Sequence, residues 1–112
     1  MSRFVPPIAV IGAIAALSTA AHAQAADGKA IYLKQCRTCH GATGEPSALN
    51  KEKYPKIRTL ADPTFFAKVC DDSLLVVLKK GAGKDMKSFD GKLSAEEMVA
   101  VVRYIRTLSA GK

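Results

Sequence analysis

Cys36-Arg37-Thr38-Cys39-His40 sets two thiols three positions apart and puts an imidazole directly after the second. Three chemistries use such groups. A dithiol can cycle with a disulfide, thiolates and imidazole can hold zinc, and a C-x-x-C-H run can take up a haem through thioether bonds to its two vinyl groups. A redox dithiol wants a strand-to-helix setting that is absent here. A zinc site would have to recruit Cys70, and the adjacent Cys39 and His40 are poorly placed to converge on one small ion. The run therefore predicts one covalent haem c, attached through Cys36 and Cys39, with His40 as the proximal iron ligand. Cys70 is then left over, either as a small apolar residue before a helix or as a thiol open to an intermolecular bond.

The start of the chain bears on the iron's other face. Arg3 precedes an uncharged run over residues 4–21, rich in Val, Ile, Leu and Ala, and small residues follow around Ala21-His22-Ala23. A positive start, an apolar middle and an A-x-A site form a secretory signal, so residues 1–23 read as a signal peptide cleaved after Ala23 or Ala25. The domain left is 24–112, exported to the periplasm. An uncleaved anchor is the alternative, because residues 5–21 approach the shortest spanning length, although Pro6 and Pro7 shorten the helical run. No later stretch is long and apolar enough to span, so no stable membrane insertion is expected once the signal is cut. The chain has two histidines, His22 and His40, and only His40 survives cleavage. A bis-histidine haem is then closed to one mature chain.

Methionine is the usual remaining candidate. Met98 falls in the apolar stripe Met98, Val101, Val102, Ile105 and Leu108, which recurs at helical spacing and belongs to a core. Met86 sits in a loop, with Gly81 and Gly83 before it and Phe89 after it. A loop residue can swing over a haem where a residue in a helix seam cannot. Met86 is accordingly the expected sixth ligand.

The elements that must position these groups are all helices and loops. Asp27 can cap a helix over residues 27–35 that runs into the haem motif. Residues 41–55, rich in Gly, Pro, Ser, Asn and Lys, read as loop. Asp62-Pro63 is a cap followed by proline at the first helical position, opening a helix through Phe65, Phe66 and Val69. Asp71 or Asp72 starts another, carrying Leu74, Leu75, Val77 and Leu78, which stops at Gly81 with Lys79 and Lys80 in its last turn. Residues 81–91 form a second loop. Ser94-Ala95-Glu96-Glu97 is a capping box that opens the longest helix, to about Leu108.

With these pieces in order, residues 28–108 resemble a class I cytochrome c, a small monohaem electron carrier. The resemblance rests on Gly28 and Tyr32 ahead of CRTCHG, on Tyr54-Pro55-Lys56-Ile57, on Leu74 to Gly81, on Met86-Lys87-Ser88-Phe89, and on Leu93 to Leu108 with Tyr104. It implies an all-α fold of three to five helices wrapped around one covalent haem, in which Gly28 and Tyr32 on the first helix meet the face around Tyr104 on the last. It implies that the Pro55 carbonyl accepts the second ring N–H of His40 and fixes the imidazole, as partners of metal-bound histidines do. Tyr54 and Arg58 are candidates to hydrogen-bond a haem propionate. One departure stands out: the family commonly has proline directly after the ligand and this chain has Lys87, which implies a looser loop and a more displaceable sulfur.

Charge points to partners. The chain carries 17 Lys+Arg against 10 Asp+Glu, a net +7, and loss of Arg3 with the signal leaves +6. Such excess steers association with acidic proteins. Nucleic acid is the other common reading of excess Lys, but an exported chain rarely meets it. By the resemblance, Lys29, Lys34, Lys79, Lys84 and Lys87 frame the haem edge and form the docking face for acidic redox partners; the chain itself is expected to be a monomer. The expected function is therefore one-electron transfer between redox enzymes, without catalysis. The alternative is a haem sensor, or a small subunit of a dehydrogenase or oxidase complex, with a displaceable sixth ligand. A peroxidase-like site is disfavoured because no histidine is left to serve as a distal base.

Overall fold

The computed structural model describes residues 2–10, 12 and 26–110. Most of the expected signal peptide, including its cleavage region, lies outside the described residues. Among those described, no helix is long and apolar enough to cross a membrane.

Among the described residues six helices follow one another: α1 (Gly28–Gln35), α2 (Arg37–His40), α3 (Ala48–Lys53), α4 (Pro63–Lys68), α5 (Asp71–Lys80) and α6 (Ala95–Ala110). The only extended pairings among the described residues are two isolated bridges, Ala82 with Met86 and Asp90 with Leu93, so the fold is all-α. The expected caps are formed. Asp27 accepts from the Ala30 N–H, and Asp62 accepts from Thr64 and Phe65 with Pro63 behind it. In the capping box the Ser94 N–H donates to Glu97 Oε1 at 2.9 Å and the Glu97 N–H to Ser94 Oγ at 3.1 Å, satisfying two otherwise orphaned donors.

Two elements correct the expectation. Residues 41–55 are not all loop, because α3 forms inside them; and α2 is a separate short turn, with Cys36 (φ −116°, ψ −30°) capping both α1 and α2. Six helical segments thus stand where three to five were expected. The physical reason for α3 is local: Ser47 caps it by accepting from the Asn50 N–H at 3.1 Å, and Ala, Leu, Lys and Glu are strong helix formers.

The core lies where α1 crosses α6. The apolar stripe of α6 faces inward, with Val101 fully buried and Met98, Val102 and Ile105 nearly so, against the equally buried Tyr32 of α1. Burying one such aliphatic side chain is worth about 1.5–3 kcal/mol. The crossing is as tight as backbones allow. A Cβ on Gly28 would overlap the Ala100 carbonyl and come within 3.2 Å of the Tyr104 Cβ, and the Tyr32 and Tyr104 rings lean together at 5.3 Å. The close contact of Gly28 and Tyr32 with the Tyr104 face is therefore present. Arg106 ties α4 and α5 to α6: its guanidinium donates to the Phe66 carbonyl (2.9 Å), to the Val69 carbonyl (2.6 Å) and to the Asp71 carboxylate.

Candidate functional site

Cys36 occupies the joint between α1 and α2 and is 8% exposed, while Cys39 and His40 on α2 are half-buried. No disulfide joins any of the three cysteines. Burial, and secondarily the neighbouring Cys39, pushes the Cys36 thiol up to about 11. Cys70, exposed at the start of α5, lies 3.2 Å from the Ser73 hydroxyl, and that bond lowers its pKa. It stands apart from the other two, and among the described residues no cluster of three metal-binding side chains exists.

The Cys36–His40 run is gripped from three directions. Tyr32, fully buried, donates its hydroxyl proton to the Gly41 carbonyl at 2.6 Å, just past the histidine. The Asn50 side-chain amide on α3 donates to the Thr38 carbonyl at 2.8 Å and to the Cys39 carbonyl at 3.3 Å. These are carbonyls at the C-terminal end of α2, left without partners inside so short a helix. Third, His40 Nδ1 lies 3.2 Å from the Arg58 carbonyl. A carbonyl can only accept, so this nitrogen carries the proton and Nε2 carries the lone pair. Burial lowers the His40 pKa, the Arg58 bond opposing it in part, which favours the neutral imidazole that a metal ion requires.

That contact corrects one residue. Pro55 was expected to accept the His40 N–H, and the acceptor is Arg58, three positions further along. The chain turns at Pro55, with the Ile57 N–H bonding back to the Tyr54 carbonyl, so the carbonyl that reaches the imidazole belongs to the extended stretch after the turn. The Arg58 side chain meanwhile lies over the Phe65 ring, 3.8 Å from its centre. Tyr54 is half-buried at the end of α3, with the Lys53 ammonium 5.1 Å from its ring centre.

On the other side of the sequence, Met86 is half-buried and packs against the core from a tight hairpin. The Ala82 N–H donates to the Met86 carbonyl at 2.9 Å, and the Met86 N–H to the Ala82 carbonyl at 3.3 Å. Met98 is buried in α6, where packing suffices to explain it. Lys29, Lys34, Lys79, Lys84 and Lys87 are all exposed.

These residues suit a haem. Two cysteines three positions apart with no disulfide between them and a neutral imidazole presenting Nε2 are the donor set such a group requires. Leu60, Leu74, Met86 and Phe89 are only half-covered by protein although they pack against the core, so an apolar macrocycle would find apolar surface to rest on. Sequence reasoning missed Asn50, and placed the hydrogen bond to His40 on the wrong carbonyl. The Ser47 cap ahead of Asn50 was the signal that α3 exists; nothing local reveals that the Asn50 amide turns back onto α2.

Comparison with known proteins agrees. Residues 23–105 match the protein family described as cytochrome C oxidase, cbb3-type, subunit III. The chain is 35% identical over 101 residues to cytochrome c-553 of Helicobacter pylori, covering 88% of this chain and 96% of that protein. It is 32% identical over 79 residues to cytochrome c6 of Microcystis aeruginosa, covering 70% of this chain and 90% of that protein. The solved structure of the KustC0563 c-type cytochrome superposes with a TM-score of 0.67 at 34% identity, over 73% of this chain and 96% of that one. The chain belongs to the class I c-type cytochromes, monohaem electron carriers that hold a covalently bound haem c and are not enzymes.

Proposed function

We propose that this protein is an exported one-electron shuttle whose haem c is attached through Cys36 and Cys39 and ligated by His40 and Met86. Bound there, the haem supplies a single Fe(III)/Fe(II) couple. The chain's own residues do the rest. Tyr32, Asn50 and the Arg58 carbonyl hold the attachment run and the imidazole in one orientation, so little protein motion accompanies a change of oxidation state. The partly buried Met86 offers a neutral sulfur from the hairpin between α5 and α6, and a histidine and methionine pair raises the potential relative to two histidines. The half-buried Cys39, His40 and Met86 leave the exposed lysines to meet acidic partners.

The observation that carries this reading is the Nδ1 contact of His40 with a backbone carbonyl, which leaves Nε2 to face an iron at the end of the Cys36–Cys39 pair. Export is supported by the signal-like start and by a family match that begins at residue 23, next to the expected cleavage after Ala23 or Ala25. The ferric protein should show a methionine-to-iron charge-transfer band that Met86→Ala abolishes and Met98→Leu retains. Survival of the band in Met86→Ala would reject Met86 as ligand. Intact-mass measurement of periplasmic protein should give a chain lacking its first 23 or 25 residues and carrying one haem.

A second reading draws on the matched family's description, which is that of an oxidase subunit. In that case the same domain works inside a larger complex. Gentle extraction and size separation distinguish the two, since a shuttle elutes alone and a subunit elutes with its oxidase.

A further inference from the structure

Met86 packs against the core through its side chain, but its backbone hydrogen bonds are local. Both backbone bonds of Met86 go to Ala82, inside its own hairpin, so nothing in that pair fixes where the hairpin sits relative to the helices. The fixing is done at the hairpin's base. The Ser88 hydroxyl donates to the Lys79 carbonyl at 2.5 Å and accepts from the Asp90 N–H at 3.1 Å, while the Phe89 N–H donates to the Leu78 carbonyl at 2.8 Å. Two of the last carbonyls of α5, which have no partner within the helix, are thus bonded by the segment just after Met86. Gly81 permits the approach. It adopts φ +79° and ψ −178°, a backbone region essentially reserved for glycine. A Cβ there would stand 2.6 Å from the Met86 carbonyl oxygen, 2.9 Å from the Ser88 nitrogen and 3.0 Å from the Lys87 carbonyl carbon. All three are backbone atoms and cannot rotate away.

We propose that Gly81 and Ser88 are positioning residues for Met86: together they clamp the methionine hairpin onto the C-terminal end of α5 and so set how readily the sulfur is displaced from the iron. The clamp lies on either side of Lys87, where a proline would otherwise stiffen the chain. This inference rests on Met86 being the sixth ligand.

The test uses the purified holoprotein and two readouts: the methionine-to-iron band and the affinity of the ferric protein for added imidazole. Ser88→Ala should bind imidazole about fivefold more tightly, the equivalent of one ordinary hydrogen bond. Ser88→Thr, which keeps the hydroxyl, should return most of the way to the parent value. Gly81→Ala should weaken or abolish the band while circular dichroism still shows the parent's helix content. A hydroxyl that only supported the fold would lower the denaturation midpoint and leave imidazole affinity unchanged. Unchanged affinity in Ser88→Ala, with a parent band that Met86→Ala removes, would overturn the clamp and leave the ligation standing. A band that survives Met86→Ala would overturn both, so the two failures are distinguishable.

Discussion

At the residue scale the site depends on one buried phenol. Tyr32 has no exposed surface, and its hydroxyl donates to the Gly41 carbonyl, tying the first helix to the residue after His40, the proposed iron ligand. Burial, with smaller contributions from Cys36 and Tyr104, pushes its pKa from 10.0 up to about 12. The folded chain therefore holds this proton more tightly than the unfolded chain does. The associated stability is complete below about pH 10 and is lost as pH rises toward about 12, because there the unfolded state ionises first. Tyr32→Phe should cost roughly 1–2 kcal/mol at neutral pH by stranding a carbonyl, and should flatten the stability loss across that alkaline window. Guanidinium titrations of the holoprotein at several pH values measure both effects; an unchanged alkaline slope in Tyr32→Phe would show that another group causes it. The meeting of Tyr32 with the Tyr104 face was legible from sequence. Which carbonyl faces the imidazole was not, because Arg58 reaches it only through the course of the chain after Pro55.

At the scale of elements, local signals were legible and long-range ones were not. Asp27, Asp62 with Pro63, and the Ser94 and Glu97 box mark helix starts within a few residues of themselves, and each marks a real one. The apolar stripe of α6 likewise names its buried face in advance. The segment over 41–55 was misread because its glycines and prolines outweighed a good cap and a six-residue helix, too short to show a period. Arg106 is the opposite case: a charged residue on a helix reads as solvent-facing, yet its guanidinium reaches the carbonyls of Phe66 within α4 and of Val69 just after it. Arg106→Met should destabilise by about 2–3 kcal/mol, since bonds from a charged donor are worth more than neutral ones and this side chain keeps some solvent exposure. Arg106→Lys should recover only part, for want of a planar fork. Chemical denaturation of the holoproteins checks this, and a loss below ~0.5 kcal/mol would mark the contacts as incidental.

At the scale of the whole molecule, a chain this small has a thin core, and the haem must complete it. The apolar side chains left half-covered near Met86 are the surface it would close. Charge is the other global property. With a net +7 and lysines exposed on α1, α5 and the methionine hairpin, oxidation of the ferrous protein by anionic ferricyanide should slow as salt is added, and oxidation by a cationic cobalt(III) complex should quicken. Equal salt dependence for both reagents would remove the basic face from the account. The central claim is a closed histidine and methionine axis that moves one electron and makes no bonds. An optical redox titration of the holoprotein, repeated under carbon monoxide, tests it most directly. The account predicts a reversible one-electron curve at a potential that carbon monoxide does not shift; a potential displaced by carbon monoxide, with a ferrous adduct in the spectrum, would contradict it.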